Sequence, residues 1–210
     1  MSKENFVQKY YNHAKKAERK TGVPALFALA QSALESGWGK HSPGNMLFGM
    51  KAGSGQNYGG WTGEEQLVAT TEYSSKPSVN FPFIFPGYPV MSTAGKWKYK
   101  IKDYFRAYPT SLHAFLDWAG LLSKSSRYQQ AMRNRGDPYR FAEEVAQAGY
   151  ATAPGYADKV KGVMNDIATI IKTKGTKGNP WKVILPVAIL VVGTGLIIYG
   201  VVQYRKETIK

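Results

Sequence analysis

Apolar residues recur at helical spacing from the start of the chain. Phe6, Val7, Tyr10, Tyr11, Ala14 and Ala17 fall on one face of a 3.6-residue period, which predicts an amphipathic helix over residues 4–20. Thr21 and Gly22 break it, and Pro24 suits the first turn of a second helix, where a missing N–H costs nothing. That second helix, residues 24–36, is apolar nearly all round (Leu26, Phe27, Leu29, Ala30, Ala33, Leu34) and is expected to be the buried centre of the domain. Gly37 ends it. Residues 45–106 change character, as glycines and prolines gather there. Partial alternation of β-branched and aromatic residues over 66–73 and 98–104 predicts a small antiparallel sheet. Between those strands, residues 80–89 hold Pro82, Pro86 and Pro89, which forbid a regular strand interior, so the segment reads as a long aromatic loop.

The helical period returns after Tyr108. Thr110 is placed to cap a helix carrying Leu112, Phe115, Leu116, Ala119 and Leu122. A short helix is expected over 127–134. Asp137 and Pro138 form a cap and first turn for a helix ending at Gly149. A last helix carries Tyr156, Val160, Met164, Ile167 and Ile171. A mostly helical body interrupted by one small antiparallel sheet is an α+β architecture, placed in residues 1–171.

The remainder reads differently. Residues 172–182 are polar, basic and glycine-containing, as a linker is. Residues 183–202 carry no charge and are almost wholly apolar. At about 1.5 Å per residue, such a helix spans roughly 30 Å, the thickness of a bilayer's hydrocarbon core. Trp181 and Lys182 flank one end, and Tyr199, Tyr204, Arg205 and Lys206 the other, as interfacial anchors do. The expectation is one C-terminal transmembrane helix, a lipid bilayer as partner, and a short basic tail over 203–210. Basic residues at both ends leave the orientation open. The opening residues lack the apolar run of a secretory signal peptide. These readings together place the chain in a virion's internal membrane or a bacterial envelope, with virion or envelope proteins as neighbours.

Composition narrows the chemistry. The chain has no cysteine, and His13, His41 and His113 show no ligand spacing, so neither a disulfide nor a metal site is expected, and no cofactor is called for. The net charge is +14; Lys182, Arg205, Lys206 and Lys210 against Glu207 leave +3 in the last thirty residues and +11 before them. Such a field favours a polyanionic partner. The charge is spread along the chain rather than gathered into a basic helix or arm, which argues against nucleic acid and for the acidic bacterial wall or anionic lipid.

Glu35 is the first candidate for catalysis. It lies in the last turn of a helix of apolar and small residues. Burial and the negative end of the helix dipole both disfavour its charged form. A carboxylic acid kept protonated near neutral pH is what protonating a leaving oxygen requires. Gly37 and Gly39 leave room beside it, and Trp38 offers a flat apolar wall.

The residues around Glu35 carry a family resemblance. Residues 30–39, Ala-Gln-Ser-Ala-Leu-Glu-Ser-Gly-Trp-Gly, resemble the catalytic-helix motif of glycoside hydrolase family 73, the endo-β-N-acetylglucosaminidases. That family includes the glucosaminidase domain of the flagellar rod-assembly peptidoglycan hydrolase. Further matches follow in order: Asn45 to Lys51 resembles an Asn-x-Phe-Gly-x-Lys segment, Thr70 to Tyr73 a Thr-x-Glu strand, and Phe105 to Tyr108 a Phe-Arg-x-Tyr strand end. Ala148 to Thr152, followed by Tyr156, Ala157, Lys159 and Val160, resembles a Gly-Tyr-Ala-Thr block. The resemblance covers residues 5–170 and implies a lysozyme-like fold, bacterial peptidoglycan as substrate, Glu35 as general acid, Glu72 as second carboxylate and Tyr150 as catalytic helper. It implies substrate contacts for Trp38, Asn45, Phe48, Lys51 and Tyr156. Two departures stand out: Ala153 replaces the block's usual Asp, and residues 74–96 lengthen the loop after the Thr-x-Glu strand.

Three functions compete. The first is a glucosaminidase hydrolysing the β-1,4 bond of the glycan strand with two carboxyl groups. The second is a lytic transglycosylase using Glu35 alone. The third is a non-catalytic wall-binding or structural membrane protein.

Overall fold

The computed structural model describes residues 1–53, 56–151, 153 and 155–175. The predicted span at 183–202 lies outside these residues, and no helix among those described is long and apolar enough to cross a membrane. Helix α1 (Lys3–Thr21) starts on Ser2, whose side chain accepts from Asn5 N, and buries Phe6, Val7, Tyr10, Ala14 and Ala17, the face that the periodicity picks out. Helix α2 (Ala25–Ser36) is the buried centre, with Phe27 through Ala33 all inaccessible and only Leu34 and Glu35 exposed. Pro24 is its N-cap rather than part of the first turn, with extended backbone. Proline has no side-chain acceptor, and Glu18 of α1 caps in its place, accepting from Ala25 N at 2.9 Å.

The sheet has two long strands, β1 (Glu65–Ser74) and β4 (Trp97–Arg106), paired antiparallel from Glu65↔Arg106 to Ser74↔Trp97. The reading of residues 80–89 as loop alone needs correction. A short strand within that segment, β2 (Phe83–Ile84), and another just after it, β3 (Val90–Met91), pair with the far edge of β4. Pro82, Pro86 and Pro89 lack ladder donors, so pairing is confined to two residues at a time. The inserted segment therefore widens the sheet, and Phe81 packs edge-on against Tyr99.

Helix α3 (Ser111–Lys124) follows, with Thr110 at its N-cap; the hydroxyl of Thr110 pairs with His113 Nδ1 instead of a backbone N–H. The short helix predicted over 127–134 is a 3₁₀ turn (Ser126–Tyr128) leading into α4 (Gln129–Arg133). Asp137 caps α5 (Pro138–Gln147), accepting from Tyr139 N and Arg140 N. That helix stops two residues before Gly149, whose φ of 75° turns the chain. Helix α6 (Tyr156–Gly175) buries Val160, Met164 and Ile167. It continues through Gly175, so the first residues of the predicted linker are helical.

One clasp joins the sheet to the helices. Arg106 at the end of β4 and Asp117 on α3 are both fully buried and 2.7 Å apart. Tyr108 Oη donates to the same carboxylate oxygen, and Tyr58 N donates to the other. The Arg106 guanidinium lies over the Trp61 ring. Residues 56–61 approach α3 so closely that a Cβ on Gly60 would stand 2.0 Å from His113 O, which is why that position is glycine.

Candidate active site

Glu35 is presented where α2 ends. Gly37 takes a left-handed turn (φ 56°) that closes the helix onto Ala33 O, and Trp38 follows in the same conformation (φ 58°). The double reversal carries Trp38 back onto α1, where its ring meets Phe6 at 5.5 Å and Lys3 Nζ sits 5.1 Å above it. The expected wall beside Glu35 is thus packed against α1.

Tyrosines stand near Glu35 instead. One turn before it on the same helix face, the fully buried Gln31 donates from Nε2 to Glu35 Oε1 at 2.8 Å. Tyr156, at the start of α6, donates from Oη to Gln31 Oε1 at 2.6 Å. Tyr150 stacks on Tyr156 with centroids 5.7 Å apart, and its Oη accepts from Trp118 Nε1 at 2.9 Å. Arg127 holds the turn that delivers Tyr150 by donating to Ala148 O and Gly149 O. Gly49 lies on the other side, near Glu35 Oε2.

Glu35 is exposed by surface area, yet protein surrounds its carboxyl on several sides, and this desolvation pushes its pKa above the usual carboxylate range. The two facts concern different things: area registers the outer edge of the side chain, whereas protonation responds to all the protein packed near the carboxyl. The hydrogen bond from Gln31 acts in the opposite direction and is the weaker effect. Burial, with Glu35 nearby, also raises the phenols of Tyr150 and Tyr156, so both are neutral donors at physiological pH.

Glu72 belongs to a second cluster. Alternation along β1 turns it to the half-buried face, opposite Tyr99. Its carboxylate lies 3.2 Å from Lys51 Nζ, which also pairs with Asp103 at 2.9 Å. Burial pulls the Lys51 pKa down, but the bonds to Asp103 and Glu72 outweigh it and the net shift is upward.

The structure thus gathers Glu35, Tyr150 and Tyr156 around Gln31, and joins Lys51 to Glu72. Of the other three predicted positions, Trp38 lies against α1, and Asn45 and Phe48 are held in the scaffold. Asn45, in a left-handed conformation (φ 57°), donates to Tyr108 O and accepts from Ser111 Oγ. Phe48 is buried and stacked on Trp118 at 4.4 Å and 7°. Ala153 is exposed. Sequence reasoning missed Gln31, Asp103 and the clasp of Arg106 and Asp117. Helical spacing points to the first, because i and i+4 share a face. Strand alternation points to the second, which shares a face with Tyr99 and Ile101. No spacing signal marks the clasp. Among the described residues no group of His, Cys, Asp or Glu is placed to hold a metal ion.

Comparison with known proteins agrees with the motif resemblance. The chain is 33% identical over 175 residues to the peptidoglycan hydrolase FlgJ of Pseudomonas aeruginosa, covering 80% of this chain and 38% of that protein. The chain therefore spans well under two thirds of this relative. Its fold is similar to the glycoside hydrolase domain of Salmonella typhimurium FlgJ, with a TM-score of 0.61 at 28% identity over 84% of this chain and 95% of that one. It is also similar to a peptidoglycan hydrolase from Sphingomonas sp. A1, with a TM-score of 0.58 at 30% identity over 84% and 97%. Residues 11–169 match the glucosaminidase family model, described as mannosyl-glycoprotein endo-beta-N-acetylglucosaminidase. With most of its length matched and a similar fold, the chain belongs to the glucosaminidase family.

Proposed function

We propose that this chain is a peptidoglycan hydrolase that cleaves the β-1,4 bond of the glycan strand, with Glu35 as its general acid. The observation that carries the reading is the setting of Glu35: the Gln31 amide donates to its carboxyl at 2.8 Å, Tyr156 bonds that amide from behind, and the surrounding protein raises the carboxyl's pKa. Gln31 Nε2 occupies Oε1, which leaves Oε2 to hold the proton. Glu35 gives that proton to the glycosidic oxygen as the C1–O bond breaks, and water supplies the hydroxyl to C1 and restores the proton. Tyr150 is suited to orient the acetamido group or the water. Tyr156 acts through Gln31, and Glu72, paired with Lys51, is the second carboxylate, which takes the proton of the attacking water and returns it to Glu35 through solvent. The relatives' names support the substrate.

One observation favours a second reading, a lytic transglycosylase that relies on Glu35 alone. Glu72 is held in an ion cluster with Lys51 and Asp103 rather than free to act on water. Product analysis separates the two. The wild type on purified sacculi should release reducing N-acetylglucosamine ends and lose that activity in Glu35→Gln and Glu72→Gln. Anhydro-muramyl ends with Glu72 dispensable mean a transglycosylase. Binding to sacculi without any cleavage means a wall-binding module.

The composition of residues 183–202 supports a membrane anchor, and with it an envelope or virion-membrane location. Floatation of the full chain with neutral phosphatidylcholine vesicles, lost on truncation after Gly175, is the expected outcome. A full chain that stays in the aqueous phase overturns the anchor.

A further inference from the structure

The two faces of the sheet differ in charge. Glu72 and Asp103 lie on the half-buried face with Lys51. The opposite face carries Lys98, Lys100 and Lys102, every second residue of the middle strand β4. The register sets Tyr73, Thr71, Ala69 and Leu67 of β1 beside Lys98, Lys100, Lys102 and Tyr104. On the other side, Phe83 lies beside Lys102 and Val90 beside Lys98, and Phe85 N donates to Lys100 O. Glu65, at the end of β1, is the one carboxylate of this parity among the described strand residues.

This face also gathers exposed apolar groups. Tyr73 is 56% exposed, Leu67 and Tyr104 47%, Phe83 42% and Val90 41%, and these five are most of the large apolar side chains exposed among the described residues. A contiguous apolar patch interleaved with cations marks an interaction surface.

We propose that this outer sheet face docks on an anionic lipid bilayer surface. Three considerations select that partner. The rings of Phe83 and Phe85 are already occupied: Lys100 Nζ lies 5.1 Å over Phe85, and Lys102 Nζ 5.4 Å over Phe83 and 5.9 Å over Phe85. Sugar rings stack on open aromatic faces, so these two rings serve a glycan strand poorly, and the exposed Leu67 and Val90 offer it nothing to bond. A soluble polyanion uses the lysines but has no use for Leu67, Val90, Tyr73 and Tyr104. A bilayer interface takes both, since ammonium groups meet anionic headgroups while aliphatic and aromatic edges enter the acyl boundary.

The chain has no cysteine, so a single introduced thiol is a unique label. The full chain carrying Tyr73→Cys with a solvatochromic dye is added to phosphatidylglycerol vesicles or to phosphatidylcholine vesicles. Lys20→Cys on the exposed end of α1 is the control site. The expected result is a blue shift at position 73 on anionic vesicles, little on neutral ones, and none at position 20. Each lysine near such a surface strengthens partitioning roughly fivefold, so Lys98→Gln, Lys100→Gln and Lys102→Gln combined should weaken it about a hundredfold. Unchanged circular dichroism and turnover of soluble wall fragments would establish that this variant is folded. Leu67→Ser with Val90→Ser should also weaken partitioning severalfold. No shift at position 73, equal shifts at both sites, or equal shifts on both lipids would overturn the proposal. An affinity untouched by the Leu67 and Val90 changes would make the face a general polyanion reader and overturn the lipid assignment. A probe already blue-shifted before vesicles are added would mean that this chain's own C-terminal residues or a second copy covers the face, which also overturns it.

Discussion

Glu35 and Glu72 are two carboxyl groups of one domain in opposite surroundings. Glu35, at the end of a buried helix, faces neutral donors: the Gln31 amide, backed by the Tyr156 phenol, with Tyr150 alongside. Glu72, on a strand, faces the Lys51 ammonium. Protein that excludes water without supplying a cation favours the protonated form, which is the direction of the Glu35 shift. The helical region therefore gives Glu35 neutral neighbours, and the sheet gives Glu72 a cation. This division follows from environment, since both residues are glutamates.

The largest effect expected from breaking this comparison is in catalysis. Glu35→Gln keeps size and shape but has no proton to give, and peptidoglycan turnover should fall by roughly 10²–10⁴-fold, the usual range for general-acid catalysis. Near wild-type turnover would remove Glu35 from the mechanism. Next comes the clasp that holds the two regions together. Asp117→Ala leaves the Arg106 charge buried without its carboxylate and should destabilise the fold by about 3–5 kcal/mol, measured by chemical denaturation. A loss below about 1 kcal/mol would mean that the junction relaxes and admits water.

Two smaller effects sharpen the comparison through pH. Gln31→Leu removes the bond that lowers the Glu35 pKa, so the alkaline limb of the activity profile should move to higher pH. Glu72→Gln should leave that limb in place. A shift in neither or in both would contradict the separation of the two clusters. The stability consequence has a definite sign. The folded pKa of Glu35 is raised above its ordinary value of 4.5, so the native state binds more protons between the two values. The stability contributed by this group is fully present below 4.5 and is lost as pH rises through the folded pKa. Glu35→Gln should flatten that decline in thermal unfolding measured across pH. The smallest effect is at the sheet: Lys51→Met should change stability by no more than about 1 kcal/mol, because the Lys51 and Glu72 side chains are over a third exposed and water screens their attraction.

Much of the molecule was legible in sequence. The periodicity of Phe6 to Ala17 placed α1, the all-round apolarity of residues 24–36 identified the central helix, and Asp137-Pro138 marked the start of α5. These features are local, set by side-chain spacing and capping within a few residues. The motif around Glu35 identified the family for the same reason, since its helix end and its glycine turn are one continuous segment. Prolines made residues 80–89 look like loop alone, because pairing of Phe83 and Ile84 with β4 depends on partners more than ten positions away.

By itself, then, the sequence determined the helices, the two long strands, the apolar core and the family, because periodicity, turn chemistry and motif order are written in consecutive residues. Only the tertiary structure decided that Tyr156 reaches Gln31 across 125 positions, that Trp38 turns onto α1, and that Arg106 meets Asp117 out of water. It also decided that Lys51, from outside the long strands, joins Glu72 and Asp103 on one face of the sheet. Such contacts depend on how elements pack, and neither the spacing nor the chemistry of a single segment specifies which distant partner will stand beside it.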